Sequence, residues 1–302
     1  MNHNFKNIIN KIKKKGLLGS LIIAKKKIEL SIYKWYYRNS PKFEDPTSSE
    51  LLQIENDLTK ISINIHDYDP PIDQFHKFKK DKWFSDEYVG GPTAEVWNEK
   101  LLEHWIASKL LGLENWSPND IYVDIAACNS PWAKVLRERY SISAHAIDLA
   151  PVNKEYSELQ YYRREDATKT KFADNSVRGA SLQCAYEMFN GDNDLLLIDE
   201  LARILIPGGK AIILPLYMHT HYCSYSSAEF FRKGYQDVDA KEYIRMDCAD
   251  IPSSRKYDAT RLKYRILDRI EKLGCNYRIL ALRNKEKIET GIYCHFILEI
   301  QK

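Results

Sequence analysis

Apolar and polar positions between residues 119 and 216 repeat one unit, a short apolar run followed by an amphipathic stretch. Residues 121–123 are β-branched or aromatic and lead into an acid, Asp124. After a turn of small residues, Ser130 can cap a helix that Pro131 begins. Strands alternating with helices build a doubly wound α/β sheet, so the pattern predicts that architecture.

The same unit recurs further along the chain. A second apolar run, residues 144–147, ends in Asp148, and an acid at about this distance from the first strand is the ribose-binding device of nucleotide-binding folds. Further strands are predicted at residues 159–163, 180–186 and 210–216, with a helix at 192–206 that Pro207 stops. The stretch as a whole therefore favours a nucleotide-like ligand at the strand ends.

The segment from Asp166 to Lys210 carries a recognisable sequence motif. It reads Asp166-Ala, then Phe172-Ala-Asp-Asn-Ser, then Glu200-x-x-Arg and Pro207-Gly-Gly. In these residues the chain resembles the class I S-adenosylmethionine-dependent methyltransferases, specifically the small-molecule, methyltransferase type 11-like branch. The resemblance implies S-adenosylmethionine as cofactor and a doubly wound, seven-stranded, mostly parallel sheet in the order 3-2-1-4-5-7-6.

The resemblance also implies which residues bind the cofactor at the carboxyl ends of the strands. Asp124 is expected near the methionyl amino group, Asp148 at both ribose hydroxyls and Asp166 at the adenine amino group. The other implied cofactor residues are Ala126, Asn129, Leu149, Ala167, Gln183 and Cys184. Aspartate also favours caps and turns, so a purely structural role for the acids stays open.

The loop after the first strand departs from the family pattern. Relatives carry a glycine-rich turn there, whereas this chain reads Asp124-Ile-Ala-Ala-Cys-Asn-Ser. Glycine allows positive φ and a close approach to the ligand. Ala and Ser are small and Asn129 tolerates the left-handed region, so the loop is either reshaped and functional or part of a non-catalytic copy.

Candidate catalytic residues follow the fourth and fifth strands. A hydroxyl acceptor needs a base, and Glu187 and His219 are the candidates, with His221 beside them. A histidine in a polar loop is more often neither base nor ligand. The spacing His219-x-His221-x-Cys223 resembles metal ligands, but no fourth ligand is evident and no metal is predicted.

The N-terminal arm, residues 1–40, holds ten Lys or Arg against one acid, Glu29, around the apolar centre Leu17–Ala24. This centre is too short to span a bilayer, and lysines follow it where a signal peptide would be cleaved. Two readings stay open. The arm is a helix at a membrane surface, with Tyr33, Trp35, Tyr36 and Tyr37 at headgroup depth, or a solvated basic helix that packs one stripe on the domain.

Two further regions complete the predicted organisation. Residues 41–92, broken by five prolines, form a connector and N-terminal cap with a helix at 50–60. Tyr88 is a candidate either to close over the cofactor or to pack in the core. Residues 93–302 form the methyltransferase domain, which begins with a helix from Thr93 to Leu111 and ends in an antiparallel hairpin. Arg255, Tyr257 and Asp258 resemble a substrate lid of sugar-modifying relatives.

The rest of the sequence narrows the function. Six scattered cysteines without a C-x-x-C pair indicate reduced thiols, so we expect a cytoplasmic protein. It is either free in the cytoplasm or, through the arm, peripheral at the inner face of the membrane. Residues 183–186 lack the motif of base methyltransferases, which argues against a nucleic acid partner. We expect O-methylation of a small molecule or glycan acceptor, with a lipid-linked acceptor favoured by the arm. The alternative is a non-catalytic binding or scaffold subunit.

Overall fold

The computed structural model describes residues 21–302, apart from 23, 86, 87 and 129. The chain divides into two compact units. The larger unit consists of Pro46–Tyr222 and Arg255–Lys302, and the smaller unit consists of Met1–Asp45 and Cys223–Ser254. Most of the predicted connector therefore lies within the larger unit. Residues 1–20, which hold half of the basic charge of the arm, lie outside the described residues.

An eight-stranded sheet forms the centre of the larger unit. In chain order the strands of the molecule are β1 (Ile65–Tyr68), β2 (Ile121–Ile125), β3 (Ser143–Asp148), β4 (Tyr162–Arg164), β5 (Val177–Gln183), β6 (Leu205–Leu214), β7 (Cys223–Ser227), β8 (Lys241–Arg245), β9 (Ser254–Lys256), β10 (Asn276–Leu282) and β11 (Phe296–Gln301). The sheet order is β1-β10-β11-β6-β5-β2-β3-β4, and only β11 runs antiparallel to its neighbours. Read from β4 to β10, this is the expected order 3-2-1-4-5-7-6, so the α/β class is confirmed.

The predicted strand count was one too low, because β1 adds an eighth strand at the edge. It pairs in parallel with β10, from Ile65 opposite Ile279 to Tyr68 opposite Leu282. An edge strand keeps one side exposed and tolerates polar residues such as His66 and Asp67. Because of these polar residues, the hydrophobic pattern predicted a connector at residues 65–68 and not a strand.

Helices cover both faces of this sheet. They are α2 (Ser48–Lys60), α3 (Ile72–Lys80), α4 (Trp97–Leu111), α5 (Trp132–Tyr140), α6 (Asn193–Ile204), α7 (Ala259–Arg261), α8 (Asp268–Lys272) and α9 (Lys285–Ile288), with a π-helical turn, Leu262–Leu267, joining α7 to α8. One core packs α2, α6, α7 and α8 on the sheet, and the other packs α3, α4 and α5. Successive strand residues point to opposite faces, so Tyr122 belongs to the second core and Val123 to the first.

Helix α4 begins later than the sequence suggests. Thr93 does not cap it, because the backbone first makes two tight turns, with Ala94 N donating to Gly91 O and Trp97 N to Ala94 O. The first bond of helical spacing runs from Lys100 N to Val96 O. Most of the circumference of α4 is buried, including polar residues such as Glu99, Glu103 and His104.

The smaller unit contains β7 and β8, which pair in parallel, and a helix, α1, at residues 24–36. Lys42 forms an isolated bridge with Ile244 of β8. Within the residues that the structure describes, no helix is both long and apolar enough to cross a bilayer.

Candidate functional site

The carboxyl ends of the parallel strands open onto two adjoining cavities. The larger has a volume of about 410 Å³ and the smaller about 280 Å³, and Ala126, Cys128 and Cys184 line both. Asp148, Leu149, Asp166 and Ala167 line the larger cavity, and Asp124 and Gln183 line the smaller. Every predicted cofactor residue therefore lies on one of these cavities except Asn129, which falls outside the described residues.

Asp148 ends β3 and closes the first loop against the strand. Its Oδ2 accepts from Cys128 N at 2.7 Å, and its Oδ1 accepts from Ala150 N at 2.7 Å. A carboxylate oxygen can accept more than one hydrogen bond, so both oxygens keep capacity for a ligand hydroxyl. The side chain is fixed by the backbone before any ligand arrives.

Asp166 follows β4 and is held in a similar way. Its Oδ1 accepts from Thr168 N at 2.9 Å and from Thr168 Oγ1 at 2.8 Å. Ala167 beside it is buried, whereas Leu149 across the cavity is largely exposed. This cavity thus offers two oriented acids and apolar surface, which suits a nucleoside with its ribose hydroxyls and a flat base.

The first loop has the backbone conformation for which glycine is usual. Ala126 has φ 54° and Cys128 has φ 52°, both in the left-handed region. Side chains larger than glycine cost roughly 1 kcal/mol in that region. The loop therefore keeps the turn without glycine, and its small side chains leave the cavities open.

The environment of Asp124 disfavours a charged carboxylate. The residue is completely buried, and neither carboxylate oxygen has a hydrogen-bond partner among the described residues. Burial raises the pKa of Asp124 to about 8, and the charge of Asp148 adds to the shift. The Ser130 hydroxyl, which lies near the carboxylate without hydrogen-bonding geometry, and the charge of Lys100 offset only part of it. A buried acid without partners on a cavity wall favours a cationic ligand group.

Two residues of α4 line the smaller cavity and were missed from the sequence. Lys100 and His104 lie four residues apart on one face of the helix. Lys100 Nζ donates to Glu103 Oε2 at 2.9 Å. Burial alone would lower the pKa of Lys100, but the charge of Glu103 raises it well above the usual value. The available signal was the run of charges inside an otherwise apolar helix.

His104 is fully buried and paired with Tyr88, the predicted lid residue. Its Nε2 lies 2.8 Å from Tyr88 Oη, and its Nδ1 has no partner among the described residues. Burial lowers the pKa of His104 well below its usual value, so the ring is neutral. Tyr88 lines the smaller cavity and also stacks on Phe84, so it combines the cavity and core roles.

Cys184, at the junction of the two cavities, is surrounded by phenol groups. Its Sγ lies 2.9 Å from Tyr217 Oη and 3.2 Å from Tyr293 Oη. Burial raises the pKa of Cys184 to about 12, so the thiol stays protonated. Glu99 of α4 holds the loop of Tyr293, because its carboxylate accepts from Tyr293 N at 2.8 Å and Cys294 N at 3.1 Å. This cluster forms a neutral polar wall beside Cys184.

The two predicted catalytic residues lie outside the described lining of both cavities. Glu187 sits in the turn Tyr186–Met188, and its buried Oε2 has no partner among the described residues. Burial raises the pKa of Glu187, against the opposing charge of Lys256. His219 is buried, its ring centroid is 4.4 Å from that of His221, and its amide donates to Tyr257 O.

The predicted substrate lid is instead part of the core. Arg255 and Tyr257 are buried, and both donate to the carboxylate of Asp194 in α6. Asp258 caps α7 by accepting from Arg261 N at 2.6 Å. Residues committed to a buried ion pair and a helix cap cannot open and close over a substrate, so this prediction was wrong.

Residues 123–213 match the family model described as a methyltransferase domain. The predicted family resemblance is confirmed over this segment. The matched segment spans β2 to β6 and includes the three acids Asp124, Asp148 and Asp166. No curated protein sequence matches the chain.

Solved structures with a similar fold include several methyltransferases. A geranyl diphosphate methyltransferase in complex with S-adenosylmethionine is 14% identical, with 74% of this chain and 94% of that chain covered and a TM-score of 0.41. The Burkholderia thailandensis 1,6-didemethyltoxoflavin-N1-methyltransferase, with S-adenosylhomocysteine bound, is 10% identical, with 87% and 93% covered and a TM-score of 0.45. S-adenosylmethionine is the cofactor of the matching family, as the sequence implied.

Proposed function

We propose that the protein is a methyltransferase that binds S-adenosylmethionine across the two cavities and transfers its methyl group to an oxygen of a small-molecule or glycan acceptor. One observation carries the proposal. Asp124, a fully buried acid without a hydrogen-bond partner among the described residues, lines the same cavity as the cation of Lys100. An acid and a cation on one small cavity match the ammonium and carboxylate of an amino acid.

The rest of the cofactor would lie in the larger cavity. Asp148 would accept from the two ribose hydroxyls and Asp166 from the adenine amino group, while Leu149 and Ala167 would contact the base. Gln183 and Cys184 would line the passage between the nucleoside and amino-acid halves, and Asn129 of the first loop remains a predicted contact. The backbone amides that already bind Asp148 would keep its carboxylate oriented.

The cofactor supplies an electrophilic methyl group, so the protein has to position the acceptor, exclude water and accept a proton. Tyr217 and Tyr293 flank Cys184 and are suited to hold an acceptor hydroxyl. Glu187 is the stronger candidate for the base, because its buried Oε2 has no partner among the described residues and burial raises its pKa. His219 is the second candidate.

Glycan biosynthesis at the inner face of the cytoplasmic membrane is the setting that we favour. The basic arm would bring the enzyme to a lipid-linked acceptor, and the chain between Gln183 and Tyr186 lacks the motif that base methyltransferases use. A nucleic acid is therefore not part of the proposal.

A non-catalytic subunit that kept the fold is the competing candidate, since every glycine of the first loop is replaced. The left-handed φ values of Ala126 and Cys128 favour the enzyme, because they are the conformation of a working glycine turn. Calorimetric titration of S-adenosylmethionine into the full chain separates the two candidates.

We expect the parent to bind the cofactor at micromolar concentrations, as enzymes of this kind commonly do. Changing Ala126 and Cys128 together to Gly should keep the affinity within about threefold, because the strain that is relieved, roughly 1 kcal/mol at each position, is present with and without ligand. No binding by the parent at millimolar cofactor would refute the enzyme assignment and leave the scaffold role.

A further inference from the structure

Helix α1 and the residues just after it have two apolar faces in different surroundings. On one face Leu30, Tyr33 and Tyr37 pack against a cluster that includes Phe231 of the smaller unit. Tyr37 meets Phe231 edge to face at 5.1 Å between centroids, and Lys233 Nζ lies 3.6 Å from the centroid of the Tyr33 ring. This face holds the helix onto its own unit.

Among the described residues, no apolar cluster covers the other face. Ile28, Ile32 and Trp35 are 62%, 57% and 65% exposed. They follow the spacing i, i+4, i+7 and therefore form one stripe. Leu21 and Ile22 of the preceding turn are exposed as well, at 60% and 55%. Large apolar side chains at this spacing indicate a contact surface that the unit itself does not use.

Cations flank the stripe on both sides. With about 100° of rotation per residue, Lys25 falls beside the stripe on one side, where it pairs with Glu29 at 3.8 Å, and Lys27 falls beside it on the other. Arg38 follows the helix, and its guanidinium lies 4.7 Å from the centroid of the Trp35 ring. Lys26 points towards the packed side, where it pairs with Asp250 at 3.0 Å. The exposed side of the helix thus carries apolar residues at its centre and cations at its margins.

We infer that the stripe of Ile28, Ile32 and Trp35 is the surface by which the protein inserts into an anionic lipid surface. The helix would lie in the plane of the interface, with the stripe among the acyl chains and Lys25, Lys27 and Arg38 on the headgroups. Trp35 would sit at headgroup depth, whereas Tyr33 and Tyr37 are committed to the smaller unit. One of the two readings of the sequence placed all these aromatics at headgroup depth, and the other packed one stripe of the helix on the domain.

Charge decides against a second copy of the chain as the occupant. Residues 1–40 hold ten basic residues and one acid, so two stripes packed together would bring two strongly positive arms side by side. An anionic bilayer attracts the same charges. The inference deepens the proposed lipid-linked acceptor and does not need methyl transfer, since vesicle binding requires neither cofactor nor acceptor.

The test is flotation of the full chain with phosphatidylcholine vesicles, with and without phosphatidylglycerol. We expect binding to the anionic vesicles at low salt, and weaker binding in high salt. Ile32→Asp should bind them at least about tenfold more weakly, because it places a charge in the apolar stripe. Leu52→Asp is the matched control, since Leu52 of α2 is 58% exposed and should leave binding unchanged.

Thermal melts and cofactor titrations of both variants show whether the fold and the proposed function survive the change. Equal binding of parent and Ile32→Asp to anionic vesicles would overturn the inference. It would also be overturned if the parent ignored these vesicles, whether or not it bound S-adenosylmethionine. Self-association of the parent that Ile32→Asp abolishes, without vesicle binding, would assign the stripe to a second copy.

Discussion

The two adjoining cavities hold their polar groups in different ways. In the larger cavity Asp148 and Asp166 accept hydrogen bonds from residues in the neighbouring loops, so their acids are satisfied without a ligand. In the smaller cavity Asp124 is buried without a partner among the described residues, and Lys100 lines the same cavity from α4, the helix that precedes β2. The larger cavity is preformed. In the smaller cavity, burial of the Asp124 carboxylate has an electrostatic cost that a cationic ligand group can offset.

Asp148→Ala should show the largest effect, because it removes the acceptor of both ribose hydroxyls and releases the amides of Cys128 and Ala150. Hydrogen bonds to charged groups contribute about 1.5–3 kcal/mol each, so affinity should fall at least tenfold. The loss should be equal for S-adenosylmethionine and for 5′-methylthioadenosine, which has no amino-acid part. Calorimetric titration measures both ligands.

Glu158→Ala is the control for that variant, since Glu158 is an exposed acid of the loop that follows β3. It should bind both ligands like the parent. Unchanged affinity in Asp148→Ala would show that this residue is not part of the site. It would also contradict the difference between the larger and the smaller cavity described above.

Asp124 should make the ligand-free protein less stable as the pH rises. Its pKa is about 8 in the folded protein, chiefly because it is buried, whereas the unfolded chain releases this proton near the ordinary value for aspartate. Between these values only the folded state holds the proton, so raising the pH costs up to about 1.4 kcal/mol per unit. Thermal midpoints at several pH values, compared with those of Asp124→Asn, measure the slope.

We expect the midpoint of the parent to fall relative to that of Asp124→Asn as the pH increases from about 6 to 8. Saturating S-adenosylhomocysteine should remove the difference in slope, since its ammonium would stabilise the charged carboxylate. Parallel curves of thermal midpoint against pH for parent and variant would show that the pKa of Asp124 is not raised in the ligand-free protein.

The same contrast explains what could be predicted from the sequence. The strand order was implied by the family resemblance, and Asp148 could be predicted from an apolar run that ends in an acid, residues 144–148. Lys100 and His104 could not be predicted in this way, because Glu99, Lys100 and Glu103 read as solvated charges on a helix until the fold buries them. Tyr33 and Trp35 show the same limit, since only packing reveals which face of α1 is covered.

The most direct test of the account compares two ligands on one variant. Lys100→Ala should bind S-adenosylmethionine at least about tenfold more weakly, because one hydrogen bond to a charged group contributes about 1.5–3 kcal/mol, and it should bind 5′-methylthioadenosine like the parent. Lys100→Arg should restore the affinity for S-adenosylmethionine. Lys109→Ala, on the same helix but not on the cavity, should change the affinity for neither ligand. An equal loss for both ligands, or none for S-adenosylmethionine, would contradict an amino-acid subsite in the smaller cavity.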